Sequence, residues 1–276
     1  MPAFICTACG MQFAPSPEPP KSCPICEDER QYVPPAGQEW ITLDELARSH
    51  SNAWRLLEPD LFEIVTVPPF AIGQRALLVR TANGNILWDC LSLVDAATVE
   101  LINALGGISA IAISHPHYYS CMVEWSHAFG RVPIYLHRAD RAWVMRDDAA
   151  IHAWEGERKE ILPGLTLICC GGHFPGGATL HWAAGAEGRG ALLSGDIVQV
   201  VQDRKTVSFM RSFPNFIPLS APAVERIIKA LAPFAFERIH GAFPTRTIAK
   251  DGKRVLEQSA ARYLAFIRGD GSAELR

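Results

Sequence analysis

Four short motifs constrain this 276-residue chain more than any other feature, because each one follows an apolar run of strand type. Ser114-His115-Pro116-His117 closes the run 108–114. Gly171-Gly172-His173-Phe174-Pro175-Gly176-Gly177 follows Leu165–Cys169, Ser194-Gly195-Asp196 follows Ala191-Leu192-Leu193, and His240-Gly241 follows 234–239. Five ligand-type side chains, His115, His117, His173, Asp196 and His240, are therefore expected at the C-terminal ends of strands. That is where α/β sheets place their sites. Imidazole and carboxylate together form the donor set of Zn or Fe(II).

The pattern around these motifs predicts a layered α/β or α+β fold, hairpins first and strand–helix units later. Asn83-Gly84 between 76–79 and 86–88, and Pro163-Gly164 between 161–162 and Leu165–Cys169, are hairpin signals. Thr179-Leu180-His181-Trp182 and 191–193 flank a Gly-rich turn and give one more hairpin. Asp95 caps an expected helix with Ala97, Leu101 and Leu105 on one face, stopped by Gly106-Gly107. Further helices are expected at 122–129, 139–147, 220–231 and 251–267, and strands at 132–136 and 234–239. Residues 36–70 read as a connector, partly helical over 43–57, and no repeat of solenoid period is visible.

Residues 1–35 form a segment of their own, ahead of a domain spanning 36–276. Cys6-Thr7-Ala8-Cys9 and Cys23-Pro24-Ile25-Cys26 surround a Pro-rich loop, in a stretch too short to fold by burial. Four thiolates complete a tetrahedral shell, and ion binding supplies the missing folding free energy. The segment resembles the rubredoxin-like knuckle of rubrerythrins, which leaves structural Zn or redox-active Fe open. No signal peptide and no apolar run of bilayer length is visible, so Cys-x-x-Cys pairs favour metal over disulfides and a cytoplasmic location. A net charge of −3 gives no reason to expect nucleic acid or an anionic membrane as partner.

From about residue 70 to 264 the chain resembles the metallo-β-lactamase superfamily. The likeness rests on a hairpin ending in Trp88-Asp89, then His115-x-His117, Gly172-His173 with its trailing Pro-Gly, Gly195-Asp196 and a late His240. The resemblance implies a four-layer αβ/βα sandwich with its metal site at one edge between the sheets, and a supporting rather than ligating role for Asp89. The family's first motif runs His-x-His-x-Asp-His, whereas Tyr119 and Ser120 stand at its last two positions here. One ion is therefore expected, held by His115, His117 and His173 with Asp196, and His240 left for a weaker second position.

On this reading Asp196 is the candidate general base and His240 orients substrate or a loop. A phenol of Tyr118 or Tyr119, the latter the catalytic candidate, either donates to a developing oxyanion or simply packs. The reaction class is metal-dependent hydrolysis of an ester, thioester or amide-like bond in a small molecule. Two alternatives stay open: a mononuclear iron sulfur-dioxygenase-like oxidoreductase, or a binding module with a degenerate site. The aromatic stretch 209–216 is either a substrate lid or core, and Arg211 and Arg246 are candidates for an anionic substrate group. His50, His127, His137, His152 and His181 lack ligand spacing. Cys90, Cys121, Cys169 and Cys170 read as buried thiols.

Overall fold

A computed structural model describes residues 1–270; the final six positions of the expected 36–276 domain lie outside the described residues. The chain divides into two compact units, Met1–Trp154 and the part from Glu155 onward. The four-cysteine segment belongs to the first unit. Among the described residues no helix is long and apolar enough to cross a membrane.

The first unit begins with β1 (Ile5–Cys6), α1 (Pro24–Glu27) and β2 (Trp40–Ile41), and β2 pairs antiparallel with β1. Helix α2 (Leu43–Ser49) opens with a capping box between Thr42 and Glu45. A seven-stranded sheet follows in chain order: β3 (Ser51–Glu58), β4 (Leu61–Val67), β5 (Arg75–Val79), β6 (Ile86–Trp88), β7 (Ala110–Ala112), β8 (Ile134–His137) and β9 (Ile151–Trp154). The short turns make β3 to β6 antiparallel. The longer connections, two of them holding α3 (Ala96–Ala104) and α4 (Met122–Ala128), make β6 to β9 parallel, as crossovers require.

Three expectations are corrected in this unit. The partly helical stretch 43–57 is α2 as far as Ser49, but the supposed connector beyond it holds the hairpin β3–β4. Its signal was Pro59-Asp60, with Asp60 in the left-handed region at φ 64°, between runs of alternating burial. Helix α3 buries Thr98 and Ile102 rather than Ala97, Leu101 and Leu105. Asn52 explains the rotation: its N–H donates to Asp95 and its amide to Thr98 Oγ1 at 3.2 Å, drawing that face inward. The helix expected at 139–147 is a 3-10 stretch, Arg138–Trp143, and β9 was not anticipated. Inside the sheet the fully buried Arg75 and Glu63 form an ion pair at 2.6 Å.

The second unit contains β10 (Arg158–Leu162), β11 (Leu165–Cys169), β12 (Ala178–Trp182), the short α5 (Gly185–Gly188) and β13 (Ala191–Gly195). Two small hairpins follow, β14 (Gln199–Val200) with β15 (Val207–Ser208), and β16 (Met210–Ser212) with β17 (Ile217–Pro218). Then come α6 (Ala221–Leu231), β18 (Arg238–Gly241), β19 (Thr247–Ile248) and α7 (Gly252–Arg268). The strand expected at 234–239 thus starts later, at Arg238.

Its six-stranded sheet has the order β10-β11-β12-β13-β18-β19, and β13–β18 is its parallel pair. The crossover through α6 sets that pair, burying Val224, Ile227 and Leu231 at helical spacing. They meet Leu256 and Ala260 of α7, and Leu192 and Ile239 of the sheet, in one apolar core. Neighbouring parallel strands consequently deliver Asp196 and His240 toward the same sheet end.

Candidate metal centres

The first centre lies wholly in the first unit. The sulfurs of Cys6, Cys9, Cys23 and Cys26 all fall within 4.8 Å of one another, and all four side chains are buried. Cys6 and Cys26 sulfurs are 3.7 Å apart, and Cys9 and Cys23 sulfurs 3.6 Å. An ion bound tetrahedrally by four thiolates at about 2.3 Å holds its ligands about 3.8 Å apart. The cysteines are free of disulfides and spaced for such a shell. Hydrogen bonding among the four sulfurs holds the Cys6 and Cys26 thiols below the ordinary thiol range and the Cys9 and Cys23 thiols above it, so the cluster shares its protons unevenly.

The second group is assembled from strand ends. β7 leads into His115, and the 3-10 turn Pro116–Tyr118 turns His117 back beside it, with ring centroids 5.2 Å apart. Asp89 fixes this turn: its Oδ1 accepts the Ser114 N–H at 2.8 Å. The Ser114 hydroxyl lies 2.9 Å from His115 Nδ1, which assigns Nε2 to the opposite edge of the ring. Burial, aided by the Arg30 guanidinium, pushes the pKa of His117 down to about 3, so the ring is a neutral donor at physiological pH.

In the second unit, β11 ends at Cys169 and the chain loops through His173. Gly177 closes the loop: its carbonyl accepts the N–H of Cys170 at 2.8 Å and of Gly171 at 2.9 Å. A methyl on Gly177 would lie 2.1 Å from the Gly171 carbonyl oxygen, so only glycine closes it. β13 ends at Gly195, and Asp196 follows with Oδ1 3.6 Å from His173 Nε2. One ligand atom each from His115, His117, His173 and Asp196 lies within 4.8 Å of the others, and all four residues are buried. Three imidazoles and a carboxylate at that spacing are a donor set for one cation.

His240 is outside this four-residue group. Its register explains why: it pairs with Leu193, whereas Asp196 lies beyond the Gly195–Gly241 pair, about 7 Å farther along the strands at roughly 3.3 Å per residue. Its Nδ1 lies 3.3 Å from the Thr247 hydroxyl. Tyr119 is buried, its hydroxyl donates to the Asp140 carbonyl at 3.5 Å, and burial raises its pKa. The ring against His115 is instead Tyr118, at 4.6 Å. The stretch 209–216 divides: Phe209 is core, Phe213 meets His173 edge-on at 6.5 Å, and Phe216 is 84% exposed. Arg246 donates to Gln202.

Sequence reasoning passed over Ser114, although it stands next to His115. It also passed over Arg30, which forks onto Asp28 and lies over the Trp143 ring at 4.8 Å, because nothing in the spacing tied residue 30 to residue 117. The remaining cysteines are buried, with Cys90 and Cys121 raised by burial and Cys170 pushed up to about 12.

No family model matches the chain. It is 48% identical over 273 residues to the uncharacterized protein YmaE of Bacillus subtilis (strain 168), covering 98% of both chains. Among solved structures it resembles VMB-1 with a TM-score of 0.60 at 13% identity, over 79% of this chain and 98% of that one. The DIM-1 metallo-β-lactamase gives 0.56 at 13% identity, over 75% and 98%.

Proposed function

We propose, for a chain that belongs to the same family as YmaE and has the metallo-β-lactamase fold, that it is a mononuclear metal-dependent hydrolase acting on an ester, thioester or amide-like bond of a small molecule. The observation that carries this reading is the buried group of three imidazoles and one carboxylate with ligand atoms within 4.8 Å. Zn is the ion we assign to it, with the four-cysteine segment 1–35 a Zn-bound appendage to the hydrolase domain. Eight free cysteines fit a protein of the reducing cytoplasm.

A cation held by His115, His117, His173 and Asp196 would lower the pKa of water from 15.7 to about 7 and polarise a carbonyl oxygen, so that no Ser or Cys nucleophile would be needed. The chain's own residues do the rest. His117 is a neutral donor, and the Ser114 hydroxyl and Asp89 orient His115. Asp196 has two oxygens: one faces His173, and the carboxylate accepts the proton that the attacking water gives up. His240, held by Thr247, orients the substrate from the neighbouring strand. With its hydroxyl donating to the Asp140 backbone carbonyl, Tyr119 acts by packing beneath the turn, and the apolar Phe213 ring lies edge-on to His173.

The test is element analysis of the full chain with turnover of chromogenic esters and thioesters. One zinc at each centre, with hydrolysis lost in His115→Ala, is the expected result. Two ions at the His/Asp group, or activity indifferent to His115, refutes it. A coloured, iron-loaded protein that consumes oxygen with a persulfide establishes the sulfur-dioxygenase reading instead, to which His115, His173 and Asp196 are also suited.

A further inference from the structure

The four-cysteine segment touches the turn that carries two of the candidate ligands. Gly10, the residue after Cys9, accepts the Ser92 hydroxyl proton at its carbonyl, 2.9 Å away. Its backbone is so close that a methyl there would lie 2.6 Å from Ser92 Oγ and 3.8 Å from Ser120 Oγ. Gln12 is buried and donates its backbone N–H to the Ser120 carbonyl at 3.3 Å. Its side chain is held in turn, donating to Glu124 at 3.3 Å and accepting from Arg146 at 2.5 Å.

Ser120 is pinned from another side as well. Gln74 donates to its hydroxyl at 3.0 Å and to the Cys90 carbonyl at 3.2 Å. At φ 40° Ser120 sits in the left-handed region, a conformation that persists only where surroundings hold it. It ends the turn that begins at His115 and lies three residues after His117. The position where the resemblance expects a ligand has become an anchor point. Only Gly10 and Met11 separate Cys9 from Gln12, so whatever fixes the Cys9 sulfur fixes the wall of that turn. A segment this short takes its shape from its ion.

We infer that the four-cysteine centre is a positioning device for the His/Asp centre: the ion on Cys6, Cys9, Cys23 and Cys26 holds Gly10 and Gln12 against Ser92 and Ser120, and thereby sets how tightly His115 and His117 bind their own cation. The inference rests on the metal-binding reading proposed above. Gln12 and Ser92 are positioning residues here, outside the reacting atoms. Removing supports of this kind costs metal affinity about 10- to 100-fold.

Cobalt(II) tests this in the full chain, because thiolate ligation gives a charge-transfer absorption that imidazole and carboxylate ligation does not. The two centres can thus be titrated separately against a competing chelator, with hydrogen exchange of the amides at 115–121 recorded alongside. Cys23→Ser is expected to abolish the thiolate signal and to weaken the His/Asp centre about 10- to 100-fold. Ser92→Ala and Gln12→Ala are expected to keep the thiolate signal while weakening the His/Asp centre and speeding exchange at 115–121. Unchanged affinity and exchange in Cys23→Ser overturns the inference; if that variant does not fold, unchanged values in Ser92→Ala overturn it equally. An unsubstituted protein that binds cobalt at the thiolates alone refutes the metal reading of the His/Asp group itself, and does so before any substitution is made.

Discussion

Asp89 offers a graded test of how the histidine turn is held. The residue is 1% exposed, its φ is 60°, and its carboxylate accepts the Ser114 N–H at 2.8 Å. Two separable quantities follow. Losing a buried hydrogen bond to a charged acceptor costs about 1.5–3 kcal/mol. Holding an ordinary L-residue in the left-handed region costs about 1–2 kcal/mol, from which Asp and Asn are partly exempt and Gly wholly so. Asp89→Asn keeps an acceptor and the backbone tolerance, and is expected to cost under about 1 kcal/mol. Asp89→Gly loses the bond alone, about 2 kcal/mol. Asp89→Ala loses both, about 3–4 kcal/mol. Urea unfolding of the three variants, with zinc affinity measured in parallel, reads this order directly. If the alanine and asparagine variants lie within about 0.5 kcal/mol of each other, neither the bond nor the strain is what the geometry implies.

Other perturbations probe other parts of the argument. Glu63→Ala strips the buried Arg75 of the carboxylate 2.6 Å away and is expected to destabilise by about 3–5 kcal/mol in denaturant titration, far more than a surface pair would. Gly177→Ala forces apart the loop that carries His173, so zinc binding at the His/Asp group should fall. Gly188→Ala, at φ 83° with nothing within 4 Å, should by contrast cost about 1–2 kcal/mol of stability and leave zinc binding unchanged. His181 accepts no charge readily: burial lowers its pKa, against a smaller opposing effect of its bond to the Ala235 carbonyl. The folded chain therefore binds fewer protons than the unfolded one below about pH 6.5, and stability is lost as pH falls through the folded pKa. His181→Gln should flatten that acid slope in melting experiments at pH 5 to 7, and an unaltered slope would assign it to another group.

Much of the architecture was legible because its signals are local. Asn83-Gly84 and Pro163-Gly164 turn the hairpins they announce, and Asp95 caps α3 through the Thr98 N–H. The misses arise where tertiary contacts decide. Nothing in residues 96–104 alone could show that Asn52, more than forty positions earlier, would turn Thr98 inward. The stretch 51–67 looked like a connector because its outer strand is half exposed and carries no apolar run. At the candidate site, motif position told that His240 lies at a strand end, but depth along a strand depends on register with its neighbour. That register, Leu193 opposite His240, is set by a bulge the sequence does not advertise. The supports Ser114, Gln12 and Gln74 were invisible for a similar reason: two of them reach the histidine turn from distant parts of the chain.

All eight cysteines are buried, four around the first centre and four within the units. A water-borne alkylating reagent should therefore find almost nothing to label in the native molecule, despite its thiol content. Labelling stoichiometry then becomes a clock for opening: the first four thiols to react, and whether chelator hastens them, will tell which part of the molecule breathes first.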